Sequence, residues 1–397
     1  MTTGNQELAE LIRNEIRQRG PMPFARFMEL ALYHPEHGYY SGGRAAIGRR
    51  GDYITNVSVG PLFGQLLTAQ FIEIHERLGS SENFTIVEQG AHDGQFAYDV
   101  LAAIRSRAPE LFEATHYRIV EPFAVLRARQ QETLQLFREN VKWAEELSSS
   151  KKSIPHLHPL PKGEADAKRR VRVKSLEPFT GIHFSNELLD AMPVDLRDKS
   201  VALQDDHFVF AEQTSDHHSV PNASQLSWID ALAAKLQRGV AIIVDYGFVR
   251  SEFREVVQAR AHHQLLDSPF EQIGDADISV HLNWTDIAER AQVRGFEIAG
   301  FTDQHHFITG IISTWPDLLH PHRPNNLTAL SNQVPGDRSD PKMSRELQTL
   351  LHPEMLGRAF QILALSKGLD LGEPLAGFRF AREPCQTLEL EKWARQI

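Results

Sequence analysis

The sequence has a single cysteine, Cys385, among its 397 residues. One cysteine excludes an internal disulfide and any zinc site built from several cysteines. No apolar run approaches the roughly 18 to 20 residues that a membrane-spanning helix needs. The formal net charge of −10 argues against nucleic-acid binding, because non-specific binding to a polyanion needs a basic surface.

The N-terminal segment lacks the features of a targeting signal. It reads MTTGNQELAELIRNEI, in which acids and bases are interspersed and no apolar core occurs. Secretory signals need such a core, and organellar signals avoid acidic residues. We therefore expect neither kind of targeting, and a cytoplasmic location.

The composition is otherwise ordinary for a globular protein, with 41% hydrophobic and 24% charged residues. A chain of this length forms one large domain with additions, or two domains. Residues 1–80 are predicted to form a helical and loop-rich N-terminal extension. Its two helical segments, ELAELIRNEIRQRG and PLFGQLLTAQFIEIHERLG, repeat apolar residues at helical spacing and end at Gly20 and Gly79.

From residue 84 onward, strand-like segments alternate with helical ones. The predicted strands are Phe84–Val87, YRIVE, Val141–Trp143, GIHFSNE and VAIIVDYG, followed by FEIAGFTDQ and RAFQILALSKG. The helix PFAVLRARQQETLQLF is expected to have Pro122 in its first turn, and SQLSWIDALAAKLQRG to end at Gly239. Continuous apolar strands between helices indicate a parallel sheet covered on both faces. We therefore predict an open α/β domain over residues 81–397, with its ligand outside the carboxyl ends of the strands.

Two segments interrupt this pattern. Residues 148–178 are polar, contain prolines and carry a basic run, so we expect an inserted and mobile surface loop. The basic run could instead bind a polyanion. A second long loop lies near residues 318–343, and loops of that length often act as lids.

The segment FTIVEQGAHDG, residues 84–94, joins the first of these strands to a helix through a glycine turn. A dinucleotide fingerprint would need G-x-G-x-x-G, whereas here Glu88 precedes Gly90 and Gly94. A carboxylate repels a pyrophosphate but suits the ammonium and sulfonium groups of S-adenosylmethionine. Glu121 ends the second strand, where an acid accepts hydrogen bonds from ribose hydroxyls. The alternative is a tight strand–helix connection without a ligand.

The order of motifs resembles the MidA-like family of class I S-adenosylmethionine-dependent methyltransferases. This family includes a mitochondrial complex I assembly-factor arginine methyltransferase. The matching segments are YHPEHGYYSGG, GDYITNVSVGPLFGQLL, VEQGAHDGQFAYDVL, YRIVEP, FSNELLDAMPVD, AIIVDYGF, DADISVHLNW and MLGRAFQILALSKG. The resemblance implies a Rossmann-like methyltransferase sheet with helices on both faces, an N-terminal extension that closes over the cofactor, and inserted loops.

The resemblance also implies roles for individual residues. Those implied to bind the cofactor are Glu88, Gly90, Asp93, Gly94, Glu121, Trp143, Asn186 and Thr55, with Gly51 and Asp52 in the covering segment. Within this set, Glu121 is the ribose-binding acid and Trp143 lies near the adenine. Glu187 and Asp190 are implied to bind the substrate at the edge where the methyl group is transferred. Asp190 could equally be a structural cap or turn acid.

Two positions depart from the family pattern. The family's turn usually reads G-P-G-R-G, and His92 stands where the middle glycine is expected. A side chain there makes close approach of the backbone to a ligand harder. The family's T-A-H-V-D segment is here S-V-H-L-N, so Asn283 replaces a carboxylate. The insertion at residues 148–178 is also not expected in the family.

Several other residues have two interpretations. His281 could act as a base, although a structural histidine is the commoner case. Asp245 and Tyr246 could line the pocket or complete a turn. Tyr39 and Tyr40 could stack on a substrate or pack in the core. The pairs His262-His263 and His305-His306 lack the i, i+4 spacing of a zinc motif, so no metal is expected.

The sequence therefore predicts a methyltransferase that acts on a protein or peptide. Arginine as the acceptor, and a link to respiratory-complex assembly, follow from the resemblance alone. One alternative is an assembly chaperone on a methyltransferase scaffold that no longer transfers methyl groups. A second is an NAD(P)-dependent oxidoreductase, against which the strand-end acid and the missing G-x-G-x-x-G both argue.

Overall fold

The computed structural model describes residues 4–45, 55–80, 82–147, 175–212, 220–319 and 340–390. The strands are β1 Met22–Pro23, β2 Phe84–Gln89, β3 Thr115–Val120, β4 Val141–Ala144, β5 Phe179–Asn186, β6 Lys199–Gln204, β7 His207–Glu212, β8 Leu236–Asp245, β9 Gly247–Phe248, β10 Val257–Ala261, β11 Gln264–Leu265, β12 Asp277–Val280, β13 Leu282–Asn283, β14 Glu297–Asp303 and β15 Gln361–Lys367. The helices are α1 Gln6–Arg19, α2 Phe24–Tyr33, α3 Asn56–Val59, α4 Leu62–Arg77, α5 Gln95–Arg107, α6 Pro109–Ala114, α7 Ala124–Thr133, α8 Ala223–Lys235, α9 Trp284–Val293, α10 Gln304–Thr314, α11 Pro341–Leu351 and α12 Pro384–Thr387.

Seven strands form the central sheet, in the order β14-β15-β8-β5-β2-β3-β4. The five strands from β8 to β4 run parallel, whereas β15 is antiparallel to both of its neighbours. The prediction of an α/β sheet is confirmed, although the sheet is mixed rather than wholly parallel. Its strand order reverses between β2 and β5, and a ligand crevice is expected at such a reversal.

Apolar side chains cover both faces of the sheet. On one face, α4 and α5 bury a cluster that contains Phe63, Phe96 and Phe184. On the other face, α8 and α9 bury a cluster that contains Trp228 and Trp284. Each fully buried side chain of this size stabilises the fold by roughly 1.5–3 kcal/mol. Phe96 at the start of α5 stacks on Phe184 of β5 with ring centroids 4.2 Å apart, and this fixes the start of α5 above the reversal point.

The N-terminal segment is tied to a part of the chain that lies far away in sequence. Helices α1 and α2 share a third core cluster with residues of β6, β10 and β12. Strand β1 pairs with β6, with Met22 opposite Val201. Helix α4, by contrast, belongs to the main core against the central sheet. The predicted boundary at residue 80 therefore does not coincide with the division of the core.

Two predicted helix boundaries were wrong. Helix α8 ends at Lys235 and not at Gly239, because Leu236 already pairs with Phe179 in the sheet. Gly239 lies inside β8, where a Cβ atom would come within 1.8 Å of the Gly181 carbonyl oxygen. Helix α7 begins at Ala124, so Pro122 precedes the helix instead of forming its first turn.

Some predicted features fall outside the part of the chain that the structure describes. These are Gly51 and Asp52, the polar segment at residues 148–174, with its basic run, and residues 320–339 of the second long loop. Within the described ranges, no helix is long and apolar enough to cross a membrane.

Candidate functional site

A cavity of about 400 Å³ lies at the carboxyl ends of β2, β3, β4 and β5. Small-molecule sites commonly have volumes of about 300–1,000 Å³. The predicted site residues that line this cavity are Thr55, Glu88, Gly90, Asp93, Glu121, Asn186 and Glu187. Gly94, Trp143 and Asp190 lie outside its lining. Strand ends from distant parts of the sequence thus meet at one edge of the sheet, as expected for parallel strands.

The turn after β2 has three residues in the left-handed region. Gly90, His92 and Gly94 have φ values of 83°, 46° and 86°. Gly90 lines the cavity, and a Cβ atom there would meet nothing closer than Leu188 at 3.5 Å. Glycine is therefore favoured at position 90 by its φ angle. His92 adopts a left-handed conformation that is costly for a residue with a Cβ atom.

Gly94 has a packing role that differs from that of Gly90. A Cβ atom on Gly94 would lie 3.2 Å from Leu134 Cδ1 and 3.3 Å from Gln130 Cα. The turn therefore rests directly on α7, and this contact leaves no room for a side chain. Gly94 also precedes the first residue of α5, so its position sets where that helix begins.

Glu88 at the end of β2 is a buried carboxyl group that faces the cavity. It accepts a hydrogen bond of 2.7 Å from the hydroxyl of Tyr117. Burial raises the pKa of Glu88 to about 8, and the Tyr117 hydrogen bond opposes this shift. A cation bound beside Glu88 would favour its ionised form.

Glu121, the residue after β3, is held by two hydrogen bonds. Its Oε1 accepts from the backbone amide of Phe123 at 2.9 Å, and its Oε2 accepts from Gln130 Nε2 at 3.0 Å. Burial raises the pKa of Glu121 to about 7. Since each carboxylate oxygen has a second lone pair, Glu121 can still accept hydrogen bonds from a ligand diol.

Glu187 follows β5 on a strained turn. It has φ 51°, which an ordinary side chain adopts only at a cost. Its Oε1 accepts a hydrogen bond of 2.8 Å from Asn186 Nδ2, and Asn186 Oδ1 accepts one of 3.0 Å from Asn56 Nδ2. Tyr246 donates a long hydrogen bond of 3.5 Å to Glu187 Oε2. Burial raises the pKa of Glu187 to about 8.

Asp190 lies behind the cavity rather than in its lining. It is buried, and its Oδ1 has no hydrogen-bond partner within the described part of the chain. Burial, together with the nearby carboxylates Asp245 and Asp277, raises the pKa of Asp190 well above its ordinary value. Its predicted contact with a substrate therefore stays a prediction.

Trp143 lies outside the cavity lining, whereas Thr55 lies within it. The Trp143 indole donates a hydrogen bond of 2.9 Å to Gln130 Oε1 and packs against the main core. The family resemblance implies that Trp143 lies near the adenine, and that placement stays a prediction. Thr55 lines the cavity and also caps α3, because its Oγ1 accepts from the amide of Ser58 at 3.2 Å.

The structure locates residues for which the sequence allows either a role in the site or a structural role. Tyr40 lines the cavity and stacks on Tyr33 with ring centroids 5.7 Å apart, while Tyr39 is fully buried. His281 and Asn283 lie in a separate, smaller pocket. Asn283 also caps α9, because its side-chain oxygen accepts a hydrogen bond from the amide of Asp286; a carboxylate would serve equally as this cap.

Among the site residues that the sequence did not indicate, three shape the arrangement of the site. Gln130 and Asn56 have side chains that hold predicted site residues, and Tyr33 joins Tyr40 in the lining. Gln130 lies in a polar helix and Asn56 in a short turn of helix, so neither has a local sequence signal. Only the position of Tyr33 near the Tyr39-Tyr40 pair could have indicated a role.

The cavity fits S-adenosylmethionine better than a dinucleotide. Its acidic lining residues are Glu88, Asp93, Glu121, Glu145, Glu146 and Glu187, and the described lining contains no lysine or arginine. This excess of acid would repel a pyrophosphate and would attract the ammonium and sulfonium groups of S-adenosylmethionine. Glu88 and Glu121 are placed to hold the charged and ribose parts of that cofactor.

Comparisons with known proteins agree with this fit. A family model described as S-adenosyl-L-methionine-dependent methyltransferase matches residues 66–302. Over 331 residues the chain is 25% identical to the mitochondrial protein arginine methyltransferase NDUFAF7 homolog of Drosophila melanogaster, covering 74% of this chain and 72% of that protein. Over 422 residues it is 24% identical to human mitochondrial protein arginine methyltransferase NDUFAF7, covering 94% and 85%.

A solved structure from Burkholderia thailandensis is similar over nearly the whole chain. It has a TM-score of 0.74 and 27% sequence identity, and the match covers 95% of this chain and 96% of that one. That protein was crystallised with bound S-adenosylhomocysteine, the product that remains after a methyl group is transferred.

Proposed function

This chain belongs to the MidA-like family of S-adenosyl-L-methionine-dependent methyltransferases, and we propose that it methylates arginine side chains of a protein substrate. Its cofactor is S-adenosyl-L-methionine, so the oxidoreductase alternative is wrong. The names of the Drosophila and human relatives support arginine as the acceptor. The observation that carries the proposal is the Glu187 carboxylate, held at the edge of the cofactor cavity on a fixed turn.

An arginine side chain needs help to act as a nucleophile. Its charge is delocalised and its pKa exceeds about 12, so the attacking nitrogen has little free lone-pair density. A carboxylate that binds two guanidinium nitrogens aligns the third and draws positive charge away from it. Glu187 has one oxygen bound to Asn186 and the other only weakly bound to Tyr246, so both oxygens retain acceptor capacity.

The electrostatics of the site also favour a cationic substrate. Glu187 and the buried Asp190 are both destabilised as anions by burial, which raises their pKa values. A guanidinium beside Glu187, which lines the cavity, would restore the ionisation of that carboxyl group and be attracted to it. The bound cofactor supplies an electrophilic methyl group. Glu187, ionised beside the guanidinium, is then placed to accept the proton that the methylated nitrogen loses.

The proposal is tested by incubating the protein with radiolabelled S-adenosylmethionine and a lysate of its own cells. We expect Glu187→Gln to bind S-adenosylhomocysteine within about threefold of the wild type and to lose label transfer by roughly 100-fold or more. Glu139→Gln, an exposed carboxylate away from the cavity, is the matched control. Mass spectrometry of the labelled proteins should place the methyl groups on arginine.

Three outcomes would contradict the proposal. Full activity of Glu187→Gln would remove Glu187 from the mechanism. Methyl groups on residues other than arginine would change the substrate class. Cofactor binding without label in any protein would instead favour the assembly chaperone. A role in respiratory-complex assembly and a cytoplasmic location stay predictions from the sequence.

A further inference from the structure

Gln130 is a fully buried amide in the middle of α7. Its side-chain nitrogen lies 3.0 Å from two acceptors, the carbonyl oxygen of His92 and Glu121 Oε2. Its side-chain oxygen accepts a hydrogen bond of 2.9 Å from the Trp143 indole. Both amide protons and one oxygen lone pair are thus used. Two of the partners follow β2 and β3, and the third, Trp143, lies in β4.

These contacts fix the orientation of the amide. The indole N–H of Trp143 can only donate, so the Gln130 oxygen must face it and the nitrogen must face the other two groups. A rotation of the amide by half a turn would place two donors together at Trp143 and acceptors together at Glu121 and His92. Because the site is buried, such unmatched groups would be costly.

The contact with His92 explains how the turn keeps its shape without a middle glycine. His92 has φ 46°, and its carbonyl oxygen is held by Gln130. The main chain of Gln130 also lies against Gly94, where a Cβ atom would come within 3.3 Å of Gln130 Cα. One residue of α7 therefore holds the turn on both sides of Asp93.

We propose that Gln130 is a positioning residue for the cofactor, because it aims the Glu121 carboxylate and fixes the turn after β2 in one geometry. It does not line the cavity, so it acts through Glu121 and the turn rather than by touching the ligand. The inference does not depend on which protein is methylated, since binding of the cofactor product alone reports on it.

The test measures binding of S-adenosylhomocysteine and of its 2′-deoxyribose analogue by titration calorimetry. The wild type should prefer the ribose form, because Glu121 accepts hydrogen bonds from the hydroxyls. Gln130→Met keeps the length of the side chain and removes its hydrogen bonds. We expect it to bind S-adenosylhomocysteine roughly tenfold more weakly and to lose most of the preference for ribose.

Gln131→Met is the matched control, because Gln131 is exposed on the same helix. It should bind both ligands within about twofold of the wild type. If Gln130→Met fails to fold, Gln130→Glu takes its place in the test, because the glutamate side chain has the same shape and still accepts a hydrogen bond from the Trp143 indole. At a pH at which both carboxyls are ionised, it replaces the donor that faces Glu121 with an acceptor, and it should then also lose the ribose preference.

A double substitution separates positioning from general damage. If Gln130 acts through Glu121, then Glu121→Gln combined with Gln130→Met should weaken binding less than the product of the two single effects. Independent, multiplicative effects would overturn the inference. So would a Gln130→Met variant that binds with wild-type affinity and ribose preference, or a wild type that does not distinguish the two ligands.

Discussion

The carboxylate of Asp245 accepts a hydrogen bond of 2.9 Å from the backbone amide of Leu189. The same Oδ2 atom lies 3.2 Å from the amide of Leu188 and 3.4 Å from that of Asp190, while Oδ1 accepts from Tyr246 at 2.8 Å. The end of β8 thereby holds the turn that follows β5. Since that turn carries Glu187, Asp245 determines where the proposed substrate carboxylate lies.

Replacing Asp245 by alanine should therefore reduce both stability and methyl transfer. Four backbone amides would lose a buried acceptor, at a cost of about 1–3 kcal/mol in the free energy of unfolding. We expect label transfer to fall by roughly tenfold or more, while affinity for S-adenosylhomocysteine changes by less than about threefold. Asp267→Ala, at an exposed position, is the control. Equal losses of affinity and transfer would contradict this role for Asp245.

Cofactor affinity should rise with pH between about 6 and 8. The pKa values of Glu88 and Glu121 are raised to about 8 and about 7, so both carboxyls are largely protonated at pH 6. Binding of the positively charged cofactor favours the ionised acids and so releases protons. Calorimetry in two buffers of different ionisation enthalpy measures that release. Glu88→Gln should flatten the pH dependence, and a proton uptake on binding would refute the assignment.

The ligand-free protein should lose stability progressively as the pH rises from about 4 to about 8. Glu88 and Glu187 have pKa values of about 8, and Glu121 and Asp245 of about 7, all above the ordinary value near 4. The folded state therefore binds more protons than the unfolded chain between about pH 4 and 8. This stabilisation is complete below about pH 4 and disappears as the pH rises through 7 and 8.

The buried His183 lowers the stability of the folded protein at acidic pH. Burial lowers its pKa to about 3, so the unfolded chain binds the extra proton between about pH 3 and 6.5. Its contribution is lost as the pH falls through that range. Thermal unfolding should consequently show a higher midpoint at pH 6 than at pH 8.5, and the reverse order would exclude the raised carboxyl pKa values.

Gly94→Ala should destabilise the protein and weaken the cofactor site together. The left-handed φ of 86° costs a residue with a Cβ atom roughly 1–2 kcal/mol, and the new atom would press on Leu134 and Gln130. Gly295→Ala is a matched control, because Gly295 has φ 82° and nothing within 4 Å of the added atom. In denaturant unfolding, both variants should lose a similar amount of stability to the left-handed φ angle. Titration with S-adenosylhomocysteine should show a loss of affinity only in Gly94→Ala.

Much of the site could be predicted because it follows the ends of strands. Glu88 and Glu121 each come directly after apolar residues, Glu187 ends the predicted strand GIHFSNE, and parallel strands bring such ends to a common edge. The pattern of apolar residues identifies the strands, and the acid at the end of each of these strands lies at that edge. The parallel strands and the cavity at their carboxyl ends therefore agree with expectation, apart from the antiparallel β15.

The rest could not be predicted, because it depends on the packing of helices against that edge. Whether Trp143 turns towards the cavity or the core is decided by α7, which presents Gln130 to the indole. Asp190 lies only three positions beyond Glu187, yet the turn held by Asp245 directs it behind the cavity. The left-handed His92 is tolerated through a bond to a residue distant in sequence. None of these orientations can be predicted from the spacing of residues in the sequence.

The pairing of β1 with β6 has a consequence during protein synthesis. The core around α1 and α2 is completed by β6 and by residues as distant as Val280. A ribosome that adds about 5–20 residues per second needs roughly 10 to 50 seconds to make the intervening chain. Until β6 and β12 have been made, the apolar sides of α1 and α2 have only each other as native partners and are open to chaperones. The residues that are made first are thus among the last to be buried.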